Sequence, residues 1–180
     1  MRIISGQFKG RRISAPRNLP VRPTTDMSKE ALFNIINNNF YFDEISVLDL
    51  FAGTGSISYE FASRGTESIT CVDEDFGCIK FINKIAEEFQ MPILTIKSDV
   101  FKFLETAKIQ ADVIFADPPY AFSPEQFSVI PELVFQNGFL KNGGLLIVEH
   151  AKQLDLSQLP HFGYAKNYGG SIFSFFEKAE

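Results

Sequence analysis

The chain has 180 residues, 45% of them apolar and 22% charged, with 20 Phe and a formal net charge of −5. That length suits one domain with a full-sized core, and that composition excludes wholesale disorder. No apolar run approaches the ~20 residues needed to cross a bilayer. The opening Met1-Arg2-Ile3-Ile4-Ser5-Gly6 has no long apolar stretch of the signal-peptide kind. Two cysteines, Cys71 and Cys78, cannot form a disulfide framework or a zinc site by themselves. A cytoplasmic protein with two small buried thiols and no metal is the expectation.

Charge is unevenly spread. Residues 1–30 carry seven basic groups against two acidic ones, whereas residues 31–180 carry ten basic against twenty acidic. A basic arm on an acidic body fits a polyanionic partner approached from one side. Arg2, Lys9, Arg11, Arg12 and Arg17 are the candidate phosphate contacts, which would fix position without reading sequence. A solvated basic surface is the plainer alternative.

In chain order, residues 1–15 read as short β-prone pieces broken by Gly6 and Gly10, a hairpin or irregular arm. Pro16, Pro20 and Pro23 punctuate an extended connector. Asp26 caps a helix to about Asn38, with Met27, Ala31, Leu32, Ile35 and Ile36 on one face. The expected division is therefore 1–25 as the arm and 26–180 as a single domain.

From residue 46 the pattern becomes strand, loop, helix, repeated. Val47–Phe51, Ile69–Asp73, Ile93–Lys97, Asp112–Asp117 and Gly144–Glu149 are strands. Between them lie helices over Ser56–Ser63, a segment with Phe76, Ile79, Ile82, Ala86 and Phe89 on its apolar face, Val100–Lys108 and Pro124–Gln136. Tyr164–Tyr168 and Ile172–Glu177 flank Gly169-Gly170-Ser171 as a closing hairpin. Alternating strands and helices predict an α/β fold with a mostly parallel sheet, helices on both faces, and an antiparallel edge from the hairpin.

Four features along this pattern carry chemistry. The first is Asp49-Leu50-Phe51-Ala52-Gly53-Thr54-Gly55, where a strand ends and a helix begins. Glycines there allow a sharp turn and a close approach to a ligand. Ser58 stands where a dinucleotide fingerprint has its third Gly or an Ala, which makes a weak case for NAD. The second is Asp73, at a strand tip and placed to accept hydrogen bonds from ribose hydroxyls. Glu74 and Asp75 beside it suit a ligand with ribose but no phosphates. The third is Asp99 with Val100, where the carboxylate can meet an adenine amine, cap a helix, or do both. The fourth and most specific is Asp117-Pro118-Pro119-Tyr120. The prolines hold the chain extended and leave carbonyls free. Asp117 adds a carboxylate acceptor and Tyr120 a flat ring. Together they suit a planar group with an exocyclic NH₂: one N–H to Asp117, the other to the Pro118 carbonyl, the ring stacked on Tyr120. His150 and His161 stand apart from these motifs and read as structural or exposed.

These motifs in this order resemble the Rossmann-like S-adenosylmethionine-dependent amino-methyltransferases. Over nearly the whole chain the sequence further resembles the RsmD family, through Arg2–Gly6, Gly10-Arg11-Arg12, Val21-Arg22-Pro23-Thr24-Thr25-Asp26, Lys29–Asn34, the glycine turn, the Asp-Pro-Pro-Tyr site and Tyr168-Gly169-Gly170. The resemblance implies a seven-stranded Rossmann-like sheet and transfer of a methyl group to guanine N2 of small-subunit (16S) ribosomal RNA. S-adenosyl-L-methionine would be held by Asp49, Phe51, Ala52, Gly53, Thr54, Gly55, Asp73, Glu74, Asp99 and Val100. It places Arg22 and Thr24 over the site, near the cofactor's methionine part or the target nucleotide. Asp117, Pro118, Pro119 and Tyr120 become the catalytic set. The implied partner is ribosomal RNA or a partly assembled small subunit, met by a monomer. An adenine-N6 DNA methyltransferase would use the same four residues, although 180 residues leave little room for a target-recognition domain. A non-catalytic RNA-binding assembly factor is a further alternative, and the intact motifs argue against it.

Overall fold

The computed structural model describes residues 1–21 and 24–179. Helix α1 (Asp26–Asn39) precedes an alternating series: β1 (Ser46–Leu50), α2 (Ser56–Ser63), β2 (Ser68–Asp73), α3 (Phe76–Phe89), β3 (Ile93–Lys97), α4 (Val100–Thr106), β4 (Ala111–Ala116), α5 (Pro124–Gln136) and β5 (Leu140–Ala151). The hairpin β6 (Phe162–Tyr168) and β7 (Ser171–Glu177) closes the chain. The seven strands form one sheet in the order β3-β2-β1-β4-β5-β7-β6. Pairing is parallel from β3 through β5, and β7 runs antiparallel to both β5 and β6.

Side-chain alternation divides the central strands between two cores. Val47, Val113, Phe115, Leu145, Ile147, Phe173 and Phe175 face one side, against α1, α2 and α3. Leu48, Leu50, Ile114, Ala116, Leu146, Val148 and Phe176 face the other, against α4 and α5. Burial on both faces is why these strands read as nearly continuous apolar runs.

The helices begin on caps written in the sequence. Asp75 and Asp99 each accept a backbone N–H of the first turn, and Ser123 with Gln126 forms a full capping box before Pro124. Helix α1 departs from the expectation at its start: its cap is Thr25, whose side chain accepts from Ser28 N, and Asp26 is the first helical residue. Its buried stripe is also rotated, to Ser28, Lys29, Leu32, Phe33 and Ile36, leaving Met27 64% exposed. Phe76, the first residue of α3, is exposed to the same extent. Helix α4 ends at Thr106, short of Lys108, and β5 begins four residues before Gly144.

The arm forms a small hairpin. Ile3 N donates to Arg11 O at 2.9 Å, Gly10 N to Ile3 O at 2.8 Å and Ile13 N to Met1 O at 2.9 Å. Ile3 and Ile13 are buried in the core under α1–α3. Buried Glu60 of α2 accepts Ile4 N at 2.8 Å and Ser5 N at 3.0 Å. Lys29 Nζ, equally buried, donates to Arg2 O at 2.6 Å and Ser56 Oγ at 3.1 Å, and lies 3.8 Å from Glu60 Oε1. Burial lowers the Lys29 pKa against the pull of Glu60. Gly6 adopts φ +89° and passes so close to α2 that a Cβ would collide with the Ser63 carbonyl. Lys29 therefore serves inside the body and is not part of the basic surface.

Candidate functional site

Strand β1 pairs with β2 on one side and β4 on the other, and the chain leaves β1 towards β2 but leaves β4 towards β5, in the opposite direction. A crevice opens at such a switch point, beyond the carboxyl ends of the strands. Here it is a cleft of about 1010 Å³. The glycine turn after β1, the tip of β2, the start of α4 and the Asp-Pro-Pro-Tyr segment after β4 all open into it.

Asp49 is fully buried on the α2 side of β1, with Ser58 Oγ donating to its Oδ2 at 2.7 Å. Burial pushes its pKa up to about 7; the Ser58 hydrogen bonds oppose the rise and the Asp73 charge adds to it. Ser58 has one hydroxyl proton, so Cys71 Sγ, 2.9 Å away, donates its S–H to Ser58. Burial holds the Cys71 thiol well above its usual pKa, so it remains protonated. Ser58, a departure from the dinucleotide fingerprint, is thus the donor that satisfies a buried carboxyl group. Phe51 takes φ +57°, a left-handed conformation uncommon for a bulky residue. Its ring meets Phe122 edge-on at 5.6 Å and Phe101 at 6.4 Å, anchoring it at the wall of the cleft. Gly55 caps α2 with φ +87°, and a Cβ there would sit 2.7 Å from the Tyr59 ring.

Asp73 joins the turn to the tip of β2. Its Oδ2 accepts Gly53 N at 2.9 Å and its Oδ1 accepts Asp75 N at 2.9 Å. Burial raises its pKa, and these two hydrogen bonds oppose the rise. The carboxylate therefore shapes the glycine turn while facing the cleft. Asp99 caps α4 by accepting Lys102 N at 3.0 Å and also lines the cleft, so capping leaves it facing a ligand.

Of the sequence candidates, Asp49, Phe51, Ala52, Gly53, Thr54, Asp73, Glu74, Asp99, Val100, Thr24, Asp117, Pro118, Pro119 and Tyr120 line this one cleft. Gly55 does not line it; it sits behind the turn and starts α2. Arg22 lies outside the described residues. The arm cations Arg2, Lys9, Arg11, Arg12 and Arg17 are all exposed on the surface away from the cleft lining. Arg2 is paired with Asp26 at 3.1 Å, and Arg11 lies over the Phe89 ring at 5.0 Å. Leu19, Pro20 and Val21 also wall the cleft, a role that connector composition does not announce.

Six carboxyl groups line the cleft, from Asp49, Asp73, Glu74, Asp75, Asp99 and Asp117, and no Lys or Arg among the described residues does. That surface repels phosphates and attracts a cation. Among the described residues no group of three or more His, Cys, Asp or Glu could hold a metal ion, and no helix is long and apolar enough to cross a membrane. His150 is buried, with Nε2 2.7 Å from Ser174 Oγ, and exposed His161 stacks on Phe135 at 4.1 Å.

Comparison with known proteins matches residues 1–177 to the family described as Conserved hypothetical protein 95. YlbH of Bacillus subtilis is 33% identical, over 88% of this chain and 86% of that protein. A protein of Buchnera aphidicola subsp. Baizongia pistaciae named Ribosomal RNA small subunit methyltransferase D is 31% identical, over 86% of this chain and 78% of its own. The solved structure of yhhF from Escherichia coli superposes with a TM-score of 0.88 at 24% identity, covering 100% of this chain and 98% of that one, which establishes the shared fold.

Proposed function

We propose, from the premise that this chain belongs to the Conserved hypothetical protein 95 family, the RsmD family of ribosomal-RNA methyltransferases, that it methylates the exocyclic N2 amine of a guanine in small-subunit ribosomal RNA. The observation that carries the reading is the meeting of Asp117-Pro118-Pro119-Tyr120 with the Gly53 turn and Asp73 in one acid-lined cleft. S-adenosyl-L-methionine fits that lining, since it carries a sulfonium and an ammonium and no phosphate. When bound it supplies an electrophilic methyl group. Asp73 and Glu74 would hold its ribose, Asp99 and Val100 its adenine, and the turn from Phe51 to Thr54 with Asp49 its methionine part. Thr24, which also lines the cleft, would contact the cofactor or the target nucleotide.

The chain's own part is positioning. An aromatic amine is a poor nucleophile because its lone pair is delocalised into the base. Asp117 and the Pro118 carbonyl accept its two N–H bonds, which orients the nitrogen and localises that pair away from the ring. Tyr120, 45% exposed at the mouth, offers a face on which the base stacks. The acceleration is then one of orientation and preorganised charge, with no covalent enzyme intermediate. A base in folded RNA reaches this depth only when looped or flipped out, and the exposed cations of the arm would grip the flanking phosphates.

The test pairs a binding titration with a turnover assay. The wild-type chain binds S-adenosylmethionine and not NAD, and transfers label to ribosomal RNA. Asp117→Ala binds the cofactor with little change and loses about 10²-fold or more in turnover. Unchanged turnover in Asp117→Ala overturns the assignment.

A further inference from the structure

Tyr120 does not stand at the mouth of the cleft by its own loop alone. Its Oη lies 3.2 Å from Ser171 Oγ, on the first residue of β7, 51 residues away. Ser171 Oγ in turn donates to Oε2 of Glu149 at 3.2 Å. Glu149 is buried in β5, with 2% exposure. Serine has a single hydroxyl proton. With that proton directed to Glu149 Oε2, Ser171 accepts from Tyr120 and the phenol donates. The three groups form a chain from the buried Glu149 carboxyl group to the ring at the surface.

The hairpin that carries Ser171 is itself tied down. Ser28 Oγ in the first turn of α1 donates to Tyr168 O at 3.4 Å, and the Gly169-Gly170 turn packs beside Met27. Across the sheet, Ser171 is in register with Ala151 of β5 and Tyr168 of β6. The reach from β7 to Tyr120 therefore starts from a strand paired on both edges.

We propose that Ser171 is a positioning residue for the target base: held by Glu149, it fixes the Tyr120 ring in the orientation on which the flipped base stacks. This rests on the reading of Tyr120 as the base platform. A loose ring at the same place would still be a hydrophobic surface, but ordering it would then be charged to substrate binding. Loss of Ser171 should accordingly act on the nucleic-acid substrate and leave the cofactor alone.

The experiment compares wild type with Ser171→Ala, Tyr120→Phe, the double variant and Ser171→Thr in steady-state methyl transfer to small-subunit ribosomal RNA. Ser171→Ala is expected to raise the RNA KM, or lower kcat/KM, about three- to tenfold, the value of one hydrogen bond, with cofactor Kd unchanged. Tyr120→Phe should match it, and the double variant should be no worse than either single one, because both remove the same bond. Ser171→Thr keeps the hydroxyl on a strand residue and should restore wild-type behaviour. Unaltered kinetics in Ser171→Ala, or effects that multiply in the double variant, overturn the proposal. Ring ¹³C relaxation of Tyr120 in the free protein gives a readout independent of turnover: the ring is ordered in wild type and mobile in Ser171→Ala. Equal order in both overturns the proposal. Absence of methyl transfer by wild type would instead defeat the functional reading, with the relaxation result still deciding the role of Ser171.

Discussion

Ser58 Oγ and Asp49 Oδ2 lie 2.7 Å apart beneath the glycine turn, both side chains closed off from solvent. The pair puts a carboxyl group that titrates near neutrality directly below the proposed methionine end of the cofactor.

A pH dependence follows. The folded-state pKa of Asp49, about 7, is above its ordinary 3.8. Between those values the folded chain holds a proton that the unfolded chain has released. Stability from this group is therefore present at low pH and declines as pH rises towards 7, by up to ~4 kcal/mol. Denaturant midpoints at pH 5 and pH 8 should diverge more for the wild type than for Asp49→Asn. Parallel behaviour of the two proteins would refute the assignment. If Asp49 faces the cofactor ammonium, affinity for S-adenosylmethionine should also increase across pH 7, and Asp49→Asn should flatten that dependence.

Asp73 should matter to the turn as well as to the ribose. Asp73→Ala leaves Gly53 N–H and Asp75 N–H without the acceptor they use now. Hydrogen bonds to a charged group are worth about 1.5–3 kcal/mol each, so cofactor affinity should fall at least about tenfold, as isothermal titration would measure. An affinity within twofold of wild type would show that the turn forms without this carboxylate.

The arm is fastened by Lys29 and Glu60. Lys29→Met removes the donor to Arg2 O and Ser56 Oγ and the cation 3.8 Å from Glu60, which keeps its 2.8 Å pair with Arg64. Hydrogen bonds to a charged group are worth about 1.5–3 kcal/mol each, so the loss should be at least about 2 kcal/mol. Urea denaturation should register that loss, and limited proteolysis should cut the arm faster in the variant. A stability change under about 1 kcal/mol would contradict the role given to this pair.

RNA affinity should be salt-dependent through the arm. Lys9, Arg11, Arg12 and Arg17 are exposed, whereas Arg2 is already paired with Asp26. Replacing any of the first four by Gln should shallow the slope of log K against log salt by ~0.7–0.9 for each phosphate that is no longer neutralised. Replacing Arg2 should change it less. An unchanged slope in the quadruple variant would remove the arm from the interface.

Much of the fold was legible because its signals are local. Strands buried on both faces read as apolar runs, and Asp75, Asp99 and Ser123 cap helices with their own side chains. Helix α2 was bounded at the same residues, Ser56 and Ser63, by the glycine turn before it. Met27 is misread because the buried stripe of α1 is rotated onto Ser28 and Lys29, whose polar partners lie elsewhere in the chain, and Phe76 is the exposed first residue of α3. The cleft candidates were legible because strand ends after alternating βα units converge at a switch point. Gly55 starts α2 in a left-handed conformation, a role that the composition of the turn does not announce. Ser58, Lys29, Ser171 and the Leu19–Val21 wall depend on partners distant in sequence, and no local pattern announces those pairings.

The most direct test of the central claim is identification of the methylated nucleoside. Ribosomal RNA, small ribosomal subunits and duplex DNA would be incubated in parallel with labelled S-adenosylmethionine, digested and resolved by mass spectrometry. The account predicts N2-methylguanosine from RNA or subunits and none from DNA. N6-methyladenine from DNA, or label in no nucleoside at all, would contradict it.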